Sequence, residues 1–340
     1  MPFIIIGAPI GALAFGFIPL ASILPLFVLC TVTLLLSMAF WRTPVIALMP
    51  DITPSKYRSQ ANGIINFMGG LGALVSFFIG SKLFRMNEAY PFWLGSMLVV
   101  VAALLVLFFI KEPKEFEKSQ KGPEPSIIES LKTVVKDEEK SALRILMAIL
   151  FWFISYNAIE SFFTVYAVNS LGLEKADGVL QLGFLSLVFL IFALPSGYIG
   201  ARIGRRKTIM TGIVLMGASI FAMYLFPTDI LTSLILRIPG LGNLLVVGII
   251  LMVAGLSWAL ININSLPMVV DMTDDTRVGT FTGLYYFSST LAAIAGPNIF
   301  GWIIELGRNN YDLLMLISPV FMVLAFIMMI GVKRGEAKNE

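Results

Sequence analysis

The chain is a series of long apolar stretches broken by short polar punctuation. No charged side chain falls within residues 1–41, 59–81, 89–110, 178–201, 208–228, 238–270, 278–304 or 313–332. A helix needs about 20 apolar residues to cross the hydrocarbon of a bilayer. Barrel strands alternate polar and apolar positions, and these runs do not. They therefore predict helices. The run 1–41 is too long for one span and is divided by Pro19 and Pro25. The pattern predicts ten spans, at 2–19, 24–49, 60–83, 90–110, 143–171, 178–201, 207–226, 244–270, 279–305 and 312–332. The fold class that follows is an all-α polytopic membrane protein.

The one long polar stretch, 111–142, carries Pro113, Pro123 and Pro125 and, counting Arg144 just beyond it, balances eight basic residues against eight acidic ones. It reads as a cytoplasmic linker with an amphipathic helix around Ile127–Val135. It separates a four-span N-terminal bundle, 1–110, from a six-span C-terminal bundle, 143–340.

Composition agrees with the pattern: 58% of the 340 residues are apolar and 13% charged, with mean hydropathy +0.89. A soluble domain runs nearer 45–50% apolar and about 25% charged. The chain has no histidine and a single cysteine, Cys30. Zinc sites, haem pairs, Ser–His–Asp triads and disulfides are thereby excluded. No nucleophile–base or metal constellation is visible, so an enzyme is not expected. The Gly-Lys-Ser/Thr loop of an ATP-driven pump is missing. No cofactor and no nucleic-acid partner are expected. The apolar N-terminus lacks a basic n-region, so no cleaved signal peptide is expected either.

Lys and Arg placement orients the spans. With both termini cytoplasmic, the inner side holds eighteen of the 24 basic residues, the outer side five, and Arg42 lies within the membrane. The expected location is a cell (inner or plasma) membrane with both ends inside.

An internal repeat emerges about 220 residues apart. Asp51-Ile52-Thr53 and Asp271-Met272-Thr273 each open an inner loop, closed by Arg58 and Arg277, before a Gly-rich span. Pro44 and Pro267 interrupt the preceding helices, and Gly63 and Phe67 correspond to Gly283 and Phe287. Aligned by this repeat, spans five and six have no partner in the first half. The parent layout would then be two six-span halves, with the chain beginning after the first two spans. Parallel repeats joined by a cytoplasmic loop are a transporter layout.

Three sets of residues carry a family resemblance. The string GYIGARIGRRK, Gly197 to Lys207, resembles the inner-loop signature of the major facilitator superfamily, with Ala201 where the signature has Asp. The strings RTPVIALMPDITP from Arg42 and RSQANG from Arg58 resemble the sucrose-carrier-like and glycoside–pentoside–hexuronide:cation symporter branch. NINSLPMVVD from Asn262 and TGLYY from Thr282 are similar to second-half segments of that branch. The resemblance implies a major-facilitator fold of ten transmembrane helices (4 + 6) from a twelve-helix parent. It further implies a monomeric secondary carrier moving a sugar or glycoside with a coupled cation by alternating access. The proton is the first candidate cation and sodium the second. Two other readings share the fold: an exporter of drugs or amphiphiles, and an inactive truncated fragment.

Ionisable groups inside a membrane cost at least a few kcal/mol and mark function by default. Two stand out. Glu160 lies in mid-span with Tyr156 and Asn157 four and three residues earlier, on one helix face. With no histidine present, this carboxyl is the obvious proton carrier; a packing hydrogen bond is its bland role. Arg42, nine residues before Asp51, lies about 13 Å inside its helix end at 1.5 Å per residue. It could fork onto sugar hydroxyls or snorkel to the headgroups. Trp258 and Asn262, four apart, with Asn264, place an aromatic plate beside amides, as a sugar would require. Asn62 and Asn66 form another i, i+4 pair, and Tyr285 and Tyr286 are weaker candidates. Hydrogen bonding between helices explains the same amides equally well. Asp51, Arg58, Asp271, Arg277, Arg202, Arg205 and Arg206 read as an inner-face gate in which carboxylates latch onto arginines; a positive-inside loop accounts for the basic ones too.

Overall fold

The structure is a computed structural model that describes residues 2–52, 68–110, 134, 136, 137, 139–273 and 277–336. Among the described residues nine helices are long and apolar enough to cross a membrane. The remaining predicted span, 60–83, is described only from Met68 onward, and the amphipathic helix expected around 127–135 lies almost wholly outside the described residues. The chain forms two compact units, Met1–Gln120 and Lys121–Glu340.

In the first unit, α1 (Pro2–Phe17) runs into a 3-10 turn at Ile18–Leu20, where Pro19 withholds a backbone donor, and α2 spans Leu24–Ile52. A helical stretch from Met68 passes through a π-helical segment, Val75–Ile79, into α3 (Gly80–Met86), followed by α4 (Tyr90–Phe109). Helix α1 buries Ile4, Gly7, Ala8, Gly11 and Ala12, a stripe spaced by three and four residues. In lipid there is no hydrophobic drive between helices, so close packing and polar contacts hold them. Gly7 allows that approach, since a Cβ there would lie 2.9 Å from the Trp41 ring. The Ser37 hydroxyl donates to the Gly7 carbonyl. From α4, Ser96 Oγ donates to Ala12 O at 2.6 Å and Trp93 Nε1 to Gly16 O at 3.2 Å.

The second unit holds α5 (Ser141–Asn169), α6 (Lys175–Ile203), α7 (Arg205–Leu225), the single turn α8 (Thr228–Leu231), α9 (Val246–Val270), α10 (Val278–Leu306) and α11 (Asp312–Ile330). Packing runs α6 on α9, α9 on α7, α7 on α11, α11 on α5 and α5 on α10. The α6–α9 seam is the tightest. A Cβ at Gly255 would sit 2.2 Å from the Leu185 carbonyl oxygen, and one at Gly200 would sit 1.8 Å from Asn264 Oδ1.

One element departs from the all-helical expectation. Strands β1 (Leu234–Ile238) and β2 (Gly242–Leu245) pair antiparallel ahead of α9. Pro239 and Gly240 make the turn: Gly240 takes φ +76°, and Leu241 N donates to Ile238 O at 3.1 Å. The predicted span 244–270 therefore starts at Val246, because Leu244 and Leu245 belong to the strand.

Candidate functional site

Helix α5 presents Phe153, Tyr156, Asn157 and Glu160 on successive turns of one face. Tyr156 stacks on Trp258 of α9 with ring centroids 3.8 Å apart and planes 4° from parallel. Phe153 meets Trp258 edge-on at 5.0 Å and Tyr285 of α10 edge-on at 6.4 Å. Each such pair contributes about 0.5–1.5 kcal/mol beyond burial. Ser265 Oγ donates to Asn262 O at 2.9 Å, which spends its single hydrogen. The Tyr285 hydroxyl, 3.1 Å away, is then the donor to Ser265. Four rings from three helices thus form one braced cluster.

Trp258 (4% exposed) and Tyr285 (5%) are its buried floor, while Tyr156, Asn157 and Asn262 are half-buried and Glu160 is exposed. Glu160 has no hydrogen bond or ion pair among the described residues. The plate expected of Trp258 is already covered on one face by Tyr156, so the tyrosine ring and hydroxyl are what this stack offers a ligand. Asn157 donates to Phe153 O of its own helix at 2.7 Å, leaving its carbonyl oxygen free.

The predicted residues divide among several places. Asn264 is buried and donates to Ser196 O of α6 at 3.1 Å, joining two helices, and to Leu260 O of its own helix at 3.0 Å. Tyr286 is exposed and meets Tyr285 edge-on at 5.3 Å. Arg42 is an exposed residue of α2 in the first unit. Asn62, Asn66 and Arg58 lie outside the described residues, as does the side chain of Asp51 in the last turn of α2. Among the described residues no cluster of three His, Cys, Asp or Glu could hold a metal.

Of the predicted gate residues, Arg202, Arg205, Arg206, Asp271 and Arg277 lie at one end of the second unit. Arg205, at the start of α7, is ion-paired with Asp271 at the end of α9. Both partners belong to the same unit, so the pair ties two of its helices together. Arg202 lies 4.7 Å over the Tyr198 ring, and Arg277 is exposed just before α10. Sequence reasoning missed the residue that completes this end. The Glu336 carboxylate accepts from Arg205 N at 2.6 Å and Arg206 N at 3.2 Å, the open N-terminal donors of α7. Arg206 in turn donates to Met329 O at 3.1 Å and Ile330 O at 2.6 Å, the last carbonyls of α11. Arg144 donates to Gly331 O at 2.6 Å. Phe153 and Ser265 were missed as well. The signal for Phe153 was present, as it lies three residues before Tyr156.

Nine helices of membrane-spanning length and composition among the described residues, with an aromatic cluster beside one carboxyl, define a polytopic membrane protein. The chain belongs to the Major Facilitator Superfamily, whose sequence profile matches residues 1–227 and 182–340. It is 22% identical over 199 residues to the cis,cis-muconate transport protein of Acinetobacter baylyi, covering 56% of this chain and 48% of that protein. It is 23% identical over 298 residues to the class H tetracycline resistance protein of Pasteurella multocida, covering 82% and 66%. The chain thus spans about half to two thirds of the curated relatives it matches. Among solved structures, the nucleoside transporter NupG superimposes with TM-score 0.74 at 16% identity, covering 97% of this chain and 83% of that one. The fucose:proton symporter of E. coli gives TM-score 0.58 at 15% identity, covering 98% and 84%.

Proposed function

We propose that this chain works as a proton-coupled carrier of a sugar or glycoside, of the sucrose-carrier-like branch, by alternating access. It acts as a monomer in the cell membrane with both termini cytoplasmic, an orientation supported by the eighteen-to-five asymmetry of basic residues. The observation that carries the reading is Glu160, a carboxyl with no hydrogen bond or ion pair among the described residues, one helical turn from the Tyr156–Trp258 stack. Such a group exchanges its proton with whatever enters beside it. The tyrosine face and hydroxyl, the free Asn157 carbonyl and the Asn262 side chain suit a ring with an apolar face and a polar rim. Structural neighbours that carry fucose or xylose with protons support the coupling.

The test is uptake of labelled sugars into vesicles holding the purified chain, with and without an inward proton gradient. Wild type should accumulate substrate only with the gradient. Glu160→Gln should lose gradient-driven accumulation yet still exchange substrate across the membrane. Unchanged pH dependence in Glu160→Gln would refute the coupling role. A second reading, export of an aromatic or amphiphilic compound, draws on the predominance of rings in the cluster and on the relatives named for muconate, multidrug and tetracycline transport or resistance. It predicts that tetracycline-like compounds, and not sugars, compete for uptake.

A further inference from the structure

The second unit has two unlike ends. One carries the Arg205–Asp271 pair and Glu336. The other carries α8 and the β1–β2 hairpin, reached through the C-terminus of α7. This hairpin is apolar on both sides. Its inner residues Leu244 and Leu245, with Leu231 of α8, are at most 7% exposed against the bundle. Its outer residues Leu234, Ile235 and Leu236 are 57%, 54% and 55% exposed. Ile235 is the unpaired residue between the pairs Leu234–Leu245 and Leu236–Leu244, a bulge that interrupts strict alternation and leaves three consecutive large apolar side chains uncovered.

The hairpin is also held firmly. Gln181 of α6, fully buried, donates to Asn243 O at 2.9 Å and accepts from Leu245 N at 3.3 Å. Its amide serves the outer edge of β2 as a third strand would. Among the described residues no strand lies beside the outer edge of β1, and the sheet there has two strands.

We propose that this hairpin is an interfacial foot, resting in the headgroup layer of the bilayer with Leu234, Ile235 and Leu236 against the acyl chains and Arg237 beside lipid phosphate. Continuity with the lipid-facing surface of α7 carries the assignment. Phe221, Tyr224, Leu225 and Phe226 are all exposed along the end of that spanning helix, and Ile230 extends the strip to the hairpin. Tyr224 and Phe221, stacked at 6.2 Å, form the kind of aromatic pair that marks a membrane–water interface. The open edge of β1 sets the depth. Unpaired backbone groups are not tolerated in hydrocarbon, whereas headgroups and their water supply partners. Arg237, an exposed cation within a hydrophobic strand, fits the same level, with its stem in the apolar layer and its guanidinium on phosphate.

The experiment uses the full chain with Cys30→Ser, reconstituted in phosphatidylcholine–phosphatidylglycerol vesicles, with a bimane fluorophore on a single cysteine introduced by Ile235→Cys. Glu174→Cys, in the exposed turn between α5 and α6 at the same end, is the water-facing reference. Nitroxide lipids labelled near the headgroup should quench the label at 235 several-fold more than at 174, and iodide should show the reverse order. Leu236→Cys provides a second position with the same expectation, so failure of one variant to fold leaves the test intact. Equal iodide access at 235 and 174 without lipid quenching would overturn the proposal. Protection from both quenchers would also overturn it, because β1 would then be covered by protein, such as the β1 edge of a second copy.

Discussion

Replacing Gly200 with alanine puts a methyl carbon 1.8 Å from Asn264 Oδ1 and 2.6 Å from its Cγ. No rotamer change at residue 200 relieves this, because a Cβ has none. The Asn264 amide must leave the position from which it donates to Ser196 O and Leu260 O, or α6 and α9 must part. Interhelical and local hydrogen bonds in membrane proteins are worth about 0.6–1 kcal/mol each, and overpacking a seam adds about 1–3 kcal/mol. Gly200→Ala should therefore cost about 3 kcal/mol, a fall of roughly 6–12 °C in Tm for a unit of about 200 residues. Asn264→Ala should cost only about 1–2 kcal/mol, from the two lost bonds. With the amide gone the methyl at 200 has room, so the double variant should match Asn264→Ala alone, a coupling of about 3 kcal/mol. Thermal unfolding of the purified protein in detergent, followed by tryptophan fluorescence at one scan rate, reads all four corners of the cycle. Additive losses, or a neutral Gly200→Ala, would refute the packing argument. The same variants bear on function: if Asn264 acts between helices, Asn264→Ala should lower Tm while leaving substrate affinity nearer wild type than Tyr156→Ala does.

Gly255→Ala should be more damaging and beyond rescue from α6, since its methyl meets the Leu185 backbone oxygen at 2.2 Å, and little folded protein should survive size-exclusion chromatography. Glu336→Gln removes a charge from the α7 N-terminus, worth about 0.3–1 kcal/mol, and should speed amide exchange at Arg205 and Arg206 with little change elsewhere in α7. Asp271→Asn should leave the Arg205 charge half-buried and unpaired and lower Tm, and the exchanged pair Arg205→Asp with Asp271→Arg should recover part of the loss. Failure of the exchange to recover anything would show that Arg205 acts through other contacts.

The helices were legible because each apolar run is long enough to have only one home, and because Pro19 and Pro25 announce the break between α1 and α2. The hairpin was not, since Leu234-Ile-Leu and Leu244-Leu245 look like helix flanks when only hydropathy is read. Pro239-Gly240 was the available signal, the residues a tight turn of this kind requires. At the site, the common face of Tyr156, Asn157 and Glu160 follows from helical spacing alone. The stack of Tyr156 on Trp258 does not, because no local rule says which helix meets which 102 residues later. Asn264 illustrates the same limit. Its spacing from Trp258 and Asn262 suggests a ligand, and the structure shows its amide bonded to Ser196 O on another helix, in room that Gly200 leaves. Glu336 was invisible for a simpler reason: it lies beyond the last span, where an acidic residue in a short polar tail carries no pattern.

The contact between Glu336 and α7 has a consequence for the order in which the protein is made. The first donors of α7 emerge from the ribosome 131 residues before the carboxylate that accepts from them. Until then that helix end must be satisfied by water or headgroups, and the last carbonyls of α11 do not yet exist for Arg206 to bind. Insertion of the helices and closure of this end are therefore separate events in time. A stall or proteolytic cut after Ile330 would leave the Arg205–Asp271 pair in place but the first donors of α7 without the Glu336 carboxylate.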